Sequence, residues 1–558
     1  MVFMLEVENK YYSFQTPLIY KSPVEYLDDS HMAKLVVHLV KLFEKENPEL
    51  FKGKASGVPG PKFRYDKSEM LGLYVFATFR GHRSCRKIEA FLDDQSKACM
   101  YITNEKLPRK SKINQFKNEY AYLIEYFLKF TVKFGFNFGL VDFKIVSIDS
   151  TPIKAYVNEF RSLSIGQILY LVDLIYDYSL DKSTRNRWNK IKRFFFNDEL
   201  PEYMIDLIDE IHHNLNKHGR QLLQIALTSN KARDEILDMI EVLKENYDGN
   251  NRVNLTDPEA RKMHMKDDTI KFAYLLQTVV DVKTGLIIMQ RIVEDKTDRY
   301  QLKPAIDYII ETYNVAPKYI LADNGYYGLD QIEYAYSKGI TPIIPDRNDA
   351  MKINGTCSDN PHTKCNMHFD PIKLEFTCLN NQKLKVDGIV EKDNELKLRF
   401  KTPECPNCPY KKECAKNSKY RVLYEPFNPF FIERKKAFLS PEGEKIYKLR
   451  GIHSEGVFSE IKEIQEFEQS KRRGRQKVEI DLTLEAIVVN FRKIRNHLNA
   501  TLIYLLIRKF PIQPFTNHHN LAKSTIIVQI DFSIRIRKRT THIFNNTYQH
   551  PSFPLHQQ

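Results

Sequence analysis

Between residues 31 and 135 apolar side chains recur at spacings of three and four, which predicts helices in HMAKLVVHLVKLFEK, KSEMLGLYVFATFRG, SCRKIEAFLDD and KINQFKNEYAYLIEYFLKFTVKFG. Pro59 and Pro61 punctuate the first gap, and Pro108 precedes the last stretch, which reads as one long helix. The period then changes: FKIVSID alternates and is β-branched, so it predicts a strand ending at Asp149. Helical spacing returns from about Leu163 to Tyr247, clearest in QILYLVDLIYDY, EYMIDLIDEIHHNL and DEILDMIEVLKENY. Two strands follow, AYLLQTVVD and GLIIMQRIVE, joined through VKTG as a hairpin. Next come a helix (RYQLKPAIDYIIETY), a strand (KYILAD), a helix (LDQIEYAYSKG) and a strand (TPIIP). Asp323 closes KYILAD as Asp149 closes FKIVSID.

From Asp349 to about Tyr424 the chain is polar and cysteine-bearing, with short alternating runs such as KLEFTC and ELKLRF that predict a β-rich insertion. SPEGEKIYKLRGIHSEGVFSEIKEIQEFEQSKRRGRQK reads as mostly helical, and LTLEAIVVNFRKIRNHLNATLIYLLIRKF as a last helix. The residues from Pro511 on, rich in His, Asn, Thr and basic side chains, predict a poorly ordered tail. The expected domains are a helical part at 1–140, and an α/β core at 141–348 with a helical insertion at about 160–250. A β-rich cysteine insertion at 349–430, core helices at 431–510 and a basic tail at 511–558 complete the chain. With the insertions set aside, the order strand, strand, strand, helix, strand, helix, strand, helix is that of an RNase H-like α/β core. Its first and fourth strands are neighbours, which would bring Asp149 and Asp323 to one edge.

Composition narrows the partner. The 85 Lys and Arg against 71 Asp and Glu give a formal charge of +14, which favours a polyanion, without distinguishing DNA from RNA or an anionic membrane. There is no run of eighteen apolar residues, and MVFMLEVENKYYSF has no charged segment leading into an apolar one, so the expectation is a cytoplasmic protein without a membrane span. Eight Cys are too sparse for a disulfide scaffold. CPNCPYKKEC groups Cys405, Cys408 and Cys414, and Cys378 on a preceding strand supplies a fourth thiolate for a tetrahedral structural zinc, with reduced thiols as the alternative. Cys357, His362, Cys365 and His368 have a looser ligand-like spacing.

Two carboxylates at one strand edge suit hard divalent ions: two Mg²⁺, or Mn²⁺ in their place, about 3.5 to 4 Å apart, which activate an attacking oxygen and stabilise a leaving one. A third carboxylate is expected from the helix after the last strand. Glu455 is the first choice, because Ser459 and Lys462 share its face while Val457, Ile461 and Ile464 cluster on the other; Glu460 and Glu463 stay open as alternatives. For DNA contact the candidates are SKRRGRQK, with Lys471, Arg472, Arg473, Arg475 and Lys477, and SKINQFKNEY, with Lys112, Asn114, Gln115 and Lys117 on a candidate recognition helix; an ordinary solvated face is the alternative for each.

SIDSTPIKA, ILADNGYYG and YKLRGIHSEGVFSEIK resemble the three catalytic blocks of bacterial insertion-sequence DDE transposases, in the branch with a leading helical domain and a cysteine-bearing insertion before the glutamate. FRYDKSEMLGLYVFATFRGHRSCRKIEAFLDD is similar to that branch's leading domain, and LTDPEAR with LLQTVVD to its second-strand block, so the resemblance runs over roughly 30–500. It implies Asp149, Asp323 and Glu455 as the metal-binding triad, and Tyr447, Arg450, Glu455 and Lys462 as the Tyr-Arg-Glu-Lys signature whose basic members hold DNA phosphate. Four residues separate Arg450 from Glu455, where the commonest form of the signature has three. The implied activity is metal-dependent cleavage at terminal inverted repeats and strand transfer into target DNA, by a homodimer on DNA. A catalytically inactive DNA-binding derivative and a nuclease without strand transfer are the rivals.

Overall fold

The computed structural model describes residues 27–28, 31–52, 65–94, 97–159, 161–180, 209–226, 230–245, 252–295 and 297–498. The expected tail, the end of the last helix beyond 498 and the first part of EYMIDLIDEIHHNL lie outside these.

The leading helices are α1 (Met32–Glu46), α2 (Lys67–Phe79), α3 (Cys85–Asp93), α4 (Lys110–Glu119) and α5 (Ala121–Asn137). Asp66 and Ser84 start α2 and α3 by accepting backbone N–H groups on their side chains. The single helix expected over α4 and α5 is broken at Tyr120, which has φ −120° and ψ 25°. The break lets α4 bury Ile113 and Phe116 while α5 separately buries Leu123, Ile124 and Phe127.

Five strands build the main sheet: β1 (Ile145–Lys154), β2 (Ile270–Asp281), β3 (Ile287–Val293), β4 (Tyr319–Leu321) and β5 (Thr341–Ile343), in the spatial order β3-β2-β1-β4-β5. A short strand, Arg261–His264, pairs with the start of β2. The β2–β3 hairpin turns as its sequence predicts, with Gly285 at φ 78° in the left-handed region and its N–H on the Asp281 carbonyl. β1 and β2 are antiparallel, whereas β1–β4 and β4–β5 are parallel. The expected neighbours therefore meet, Ile145 opposite Tyr319 and Ser147 opposite Leu321.

β1 does not stop at Asp149. The antiparallel ladder with β2 carries it on to Lys154, opposite Ala273, while β4 has already ended. Asp149 is thus fixed by its ladder on the β2 side and lies past the end of β4 on the other.

Helices α9 (Leu302–Tyr313) and α10 (Leu329–Ser337) connect β3 to β4 and β4 to β5. The preceding block contributes α6 (Ile165–Leu180), α7 (Lys217–Ala226) and α8 (Asn230–Glu245), around a cluster that includes Leu171, Ile175, Leu223 and Ile240. The cysteine-bearing segment is β-rich as expected: β6 (His368–Asp370), β7 (Glu375–Thr377), β8 (Lys383–Lys392), β9 (Glu395–Lys401) and β10 (Leu423–Pro426) pair antiparallel in sequence order around Phe369, Phe376 and Phe400.

After it come α11 (Pro429–Phe438), a helical run over 441–464 that we call α12, and α13 (Arg475–His497). α13 begins earlier than its apolar pattern suggests, directly after Gly474 at φ 87°. It runs between sheet and leading helices: Phe127 and Phe491 rings lie 5.9 Å apart, and Asn490 bonds both backbone groups of Ile287 as well as Thr131. One buried cluster consequently holds Leu71 and Phe127 from the leading helices, Ile148 and Leu276 from the sheet, and Ile487 from α13.

Candidate active site

α12 crosses one face of β1, and the alternation of the strand decides which side chains meet it. Ser147 Oγ lies 2.7 Å from Ser454 Oγ, Asp149 Oδ2 accepts from Arg450 Nη1 at 2.8 Å, and Thr151 Oγ1 accepts from Lys462 Nζ at 2.6 Å. The helix starts at Pro441 with Ser440 as its cap, and turns π-helical over Gly451–Glu455 and again over Glu460–Ile464. A π turn takes up one residue more than an α turn. The extra residue between Arg450 and Glu455 is absorbed there, leaving both side chains on one face with Nη2 of the arginine 3.9 Å from the glutamate Oε1. The second π turn carries Ile464 outward to 68% exposure, whereas Val457 and Ile461 are buried as expected. Of the three glutamates weighed, Glu460 faces Arg492 and Lys493 of α13 and Glu463 bonds Ser459; Glu455 is the one that faces Arg450.

Asp323, two residues beyond β4, caps the turn Asn324–Tyr326 by accepting the Gly325 N–H at 2.8 Å. Asp149 is only 8% exposed. Burial raises its pKa, Arg450 opposes the rise and the charge of Asp323 adds to it, leaving the carboxyl at about 6. A third acid, which the sequence pattern does not single out, shares this corner. Asp298 accepts from Ser150 Oγ at 2.9 Å and from Gln277 Nε2 at 2.5 Å, and burial first, then Asp323, push it above the ordinary carboxylate range. In KTDRY ahead of a helix it reads as a turn residue, so local sequence gives no sign of it.

Asp149 and Asp323 supply hard oxygens and a local surplus of negative charge, the chemistry that a divalent cation such as Mg²⁺ prefers. The guanidinium of Arg450 supplies positive charge between Asp149 and Glu455. Among the described residues no three His, Cys, Asp or Glu side chains converge closely enough to hold a metal ion.

Residues 377–495 match the family model of a transposase DDE domain. No curated protein matches the chain. The matched stretch contains Tyr447, Arg450, Glu455 and Lys462 with the cysteine group, and stops short of Asp149 and Asp323, which the fold brings to its edge. DNA is the partner such a domain implies. Among the described residues no helix is long and apolar enough to cross a membrane.

The basic candidates separate by how they are used. Tyr447 packs edge-on against Phe438 at 5.3 Å and underlies Arg450, with 6.0 Å from guanidinium to ring. Lys462 is turned into β1, bonding Thr151 and the Pro152 carbonyl, and burial with Lys266 nearby lowers its pKa to about 8. Lys117, expected on a DNA-facing surface, is buried in an ion pair with Asp481 of α13, and Arg472 reaches the same carboxylate at 3.2 Å. The Lys117 pair ties α4 to α13, a long-range pairing that local sequence does not announce, and Arg472, nine residues before Asp481, also reaches Asn118 Oδ1 of α4 at 3.3 Å. Lys112 is half-buried on Gln115, while Arg473 is exposed, stacked 5.3 Å over the exposed Tyr156 ring.

Cys378 lies just past β7, Cys405 and Cys408 flank a turn, and Cys414 ends a short helix. All four are free thiols. Burial raises the Cys414 pKa, Arg421 opposes, and Cys405, Cys378 and Cys408 add to the rise, which places the four in one neighbourhood. The looser set is divided: Cys357 and Cys365 are bonded to each other, and His362 faces Glu413 at 3.3 Å.

Proposed function

We propose that this chain is a DDE transposase on an RNase H-like core, cutting DNA at the inverted repeats of an insertion sequence and joining the freed 3′-hydroxyl to target DNA. The observation that carries the reading is the acid-rich corner where Asp149 meets Asp323 on one side and, from the matched stretch, Arg450 and Glu455 on the other. The sheet order and the parallel β1–β4 pairing support the core assignment.

Two Mg²⁺ ions held by Asp149, Asp323 and Glu455 would activate the attacking oxygen and stabilise the leaving oxygen of an in-line displacement. Arg450, freed from Asp149, presents a planar pair of donors to a phosphate oxygen, and Tyr447 keeps its guanidinium aimed along the helix face. Lys462 anchors the strand beyond Asp149 through Thr151, so that the carboxylate stays in place as the backbone of DNA approaches. Exposed Arg473 extends the basic surface from the end of β1. Two ends must be cut and joined together, which calls for a homodimer on DNA, and the resemblance to bacterial insertion-sequence transposases implies a nucleoid-associated location. The four cysteines around Cys414 would hold a structural Zn²⁺ that clips the β-rich insertion; the Cys405→Ser/Cys408→Ser variant should then lose one equivalent of zinc by elemental analysis.

The test is a labelled DNA fragment carrying the element's own ends, incubated with Mg²⁺ or EDTA. Wild type should nick and join only with Mg²⁺, and Asp149→Ala should bind DNA without cutting. Cutting without joining would make the chain a nuclease, and binding without cutting in any metal would make it a DNA-binding relic.

A further inference from the structure

We infer that Asp298 is a positioning residue that sets the separation of Asp149 and Asp323 through the bonded chain Ser150–Asp298–Gln277–Tyr326. The inference rests on the reading of that corner as a metal site. The two acids come from strands whose pairing ends at Ser147 opposite Leu321, so the β1–β4 ladder itself places neither carboxylate relative to the other. The side-chain network takes over where the ladder stops.

Asp298 stands between β3 and α9 and uses both oxygens: Oδ2 accepts from Ser150 Oγ at 2.9 Å and Oδ1 from Gln277 Nε2 at 2.5 Å. Ser150 follows Asp149 and donates its backbone N–H to Asp149 Oδ1 at 2.9 Å. Gln277, buried in β2, is the ladder partner of Ser150, and its Oε1 accepts from the Tyr326 hydroxyl at 2.6 Å. Tyr326 is fully buried and ends the turn that Asp323 caps. The turn also lies close to Asp298: a β-carbon added to Gly325 would meet Asp298 Cβ at 3.4 Å and Asp323 Oδ1 at 3.0 Å. Each link has a donor and an acceptor in place, and the chain runs from the neighbour of one acid to the turn of the other.

The carboxylate accepts twice. Asparagine at 298 has one acceptor oxygen; where it keeps the bond from Gln277 Nε2, its amide must donate to Ser150 Oγ, which reverses that bond and turns the hydroxyl proton elsewhere. In this role Asp298 acts through Ser150 and Gln277, and the two mild variants below distinguish it from a direct ligand. Partners that orient ligating carboxylates typically change metal affinity by about 10- to 100-fold when lost.

The test is Mn²⁺ binding to the full chain without DNA, followed by electron paramagnetic resonance, for wild type, Asp298→Asn, the milder Ser150→Ala and Tyr326→Phe, and Asp323→Asn. We expect Asp323→Asn to lose the site, Asp298→Asn to bind about tenfold or more weakly with an altered bound-ion spectrum, and the two mild variants to shift in the same direction by less. Wild-type affinity and spectrum in Asp298→Asn would overturn the inference, as would a loss in Asp298→Asn with no change in both mild variants, which would make Asp298 itself a ligand. A wild type that takes up no Mn²⁺ would overturn the metal-site reading and the inference with it, whereas a wild type that binds normally beside an unchanged Asp298→Asn would overturn the inference alone.

Discussion

Two arginines, Arg434 and Arg450, reach into buried aspartates, and the acids respond in opposite directions. Arg434, fully buried on α11, bonds Asp349 at 2.7 Å and Asp346 at 2.9 Å, and Lys435 bonds both of the same carboxylates. Burial pushes Asp346 up, yet Arg434 and Lys435 outweigh it and hold the carboxyl far below its ordinary range. Around Arg450 the balance is reversed. Burial lifts Asp149, a single guanidinium opposes it, and Asp323 and Asp298 push further in the direction of burial. Two cations for two acids make a closed clamp that fastens the start of the β-rich segment to α11. One cation among three aspartates leaves a charge deficit that a divalent ion would fill, and a corner built that way is costly unless it serves something.

The largest effect should come from breaking the closed clamp. Arg434→Met leaves two buried carboxylates with one lysine, and we expect a loss of about 3–5 kcal/mol in denaturant unfolding. An unchanged midpoint would show that Lys435 alone suffices.

The open corner should answer with the opposite sign. The folded carboxyl of Asp149 sits at about 6 against an ordinary 3.8, so the folded state holds its proton more tightly and ionisation costs stability as pH rises between those values. In EDTA at pH 7.5, Asp149→Asn should therefore be more stable than wild type by up to about 3 kcal/mol, a gain that disappears below about pH 4. Saturating Mg²⁺ should stabilise wild type by about 2–3 kcal/mol at a hundredfold excess over Kd and leave Asp149→Asn unmoved. Equal stability of the two proteins at pH 7.5 would mean that Arg450 neutralises Asp149 fully.

The smallest effect concerns how Arg450 is delivered. Deleting exposed Ile452 should relax the first π turn to an α turn, keep Arg450 facing Glu455, and change stability by no more than about 1 kcal/mol. Deleting Val457, by contrast, should turn Lys462 away from Thr151 and cost more, because Val457 is buried. Loss of the fold in the Ile452 deletion would show that the π turn is required.

What the sequence reveals and what it hides follow one physical line. The alternation of FKIVSID and AYLLQTVVD, the hairpin at VKTG and the two acids after apolar runs are local features, and the strands form there, with β1 running on past Asp149 and β4 stopping two residues before Asp323. The break at Tyr120, the continuation of β1 beyond Asp149 and the early start of α13 depend on partners far along the chain. Lys117 and Arg472 carry the composition of DNA contacts and are spent on Asp481 because α13 packs against the leading helices. Asp298 was hidden for the same reason: its partners are in β1 and β2, and a lone Asp before a helix looks like a cap.

The most direct test of the acid-surplus account is an anomalous difference map from crystals of the chain grown with Mn²⁺. The account predicts density between Asp149 and Asp323, with Arg450 withdrawn from Asp149. Absence of density there, with Arg450 still bonded to Asp149 at saturating Mn²⁺, would contradict it.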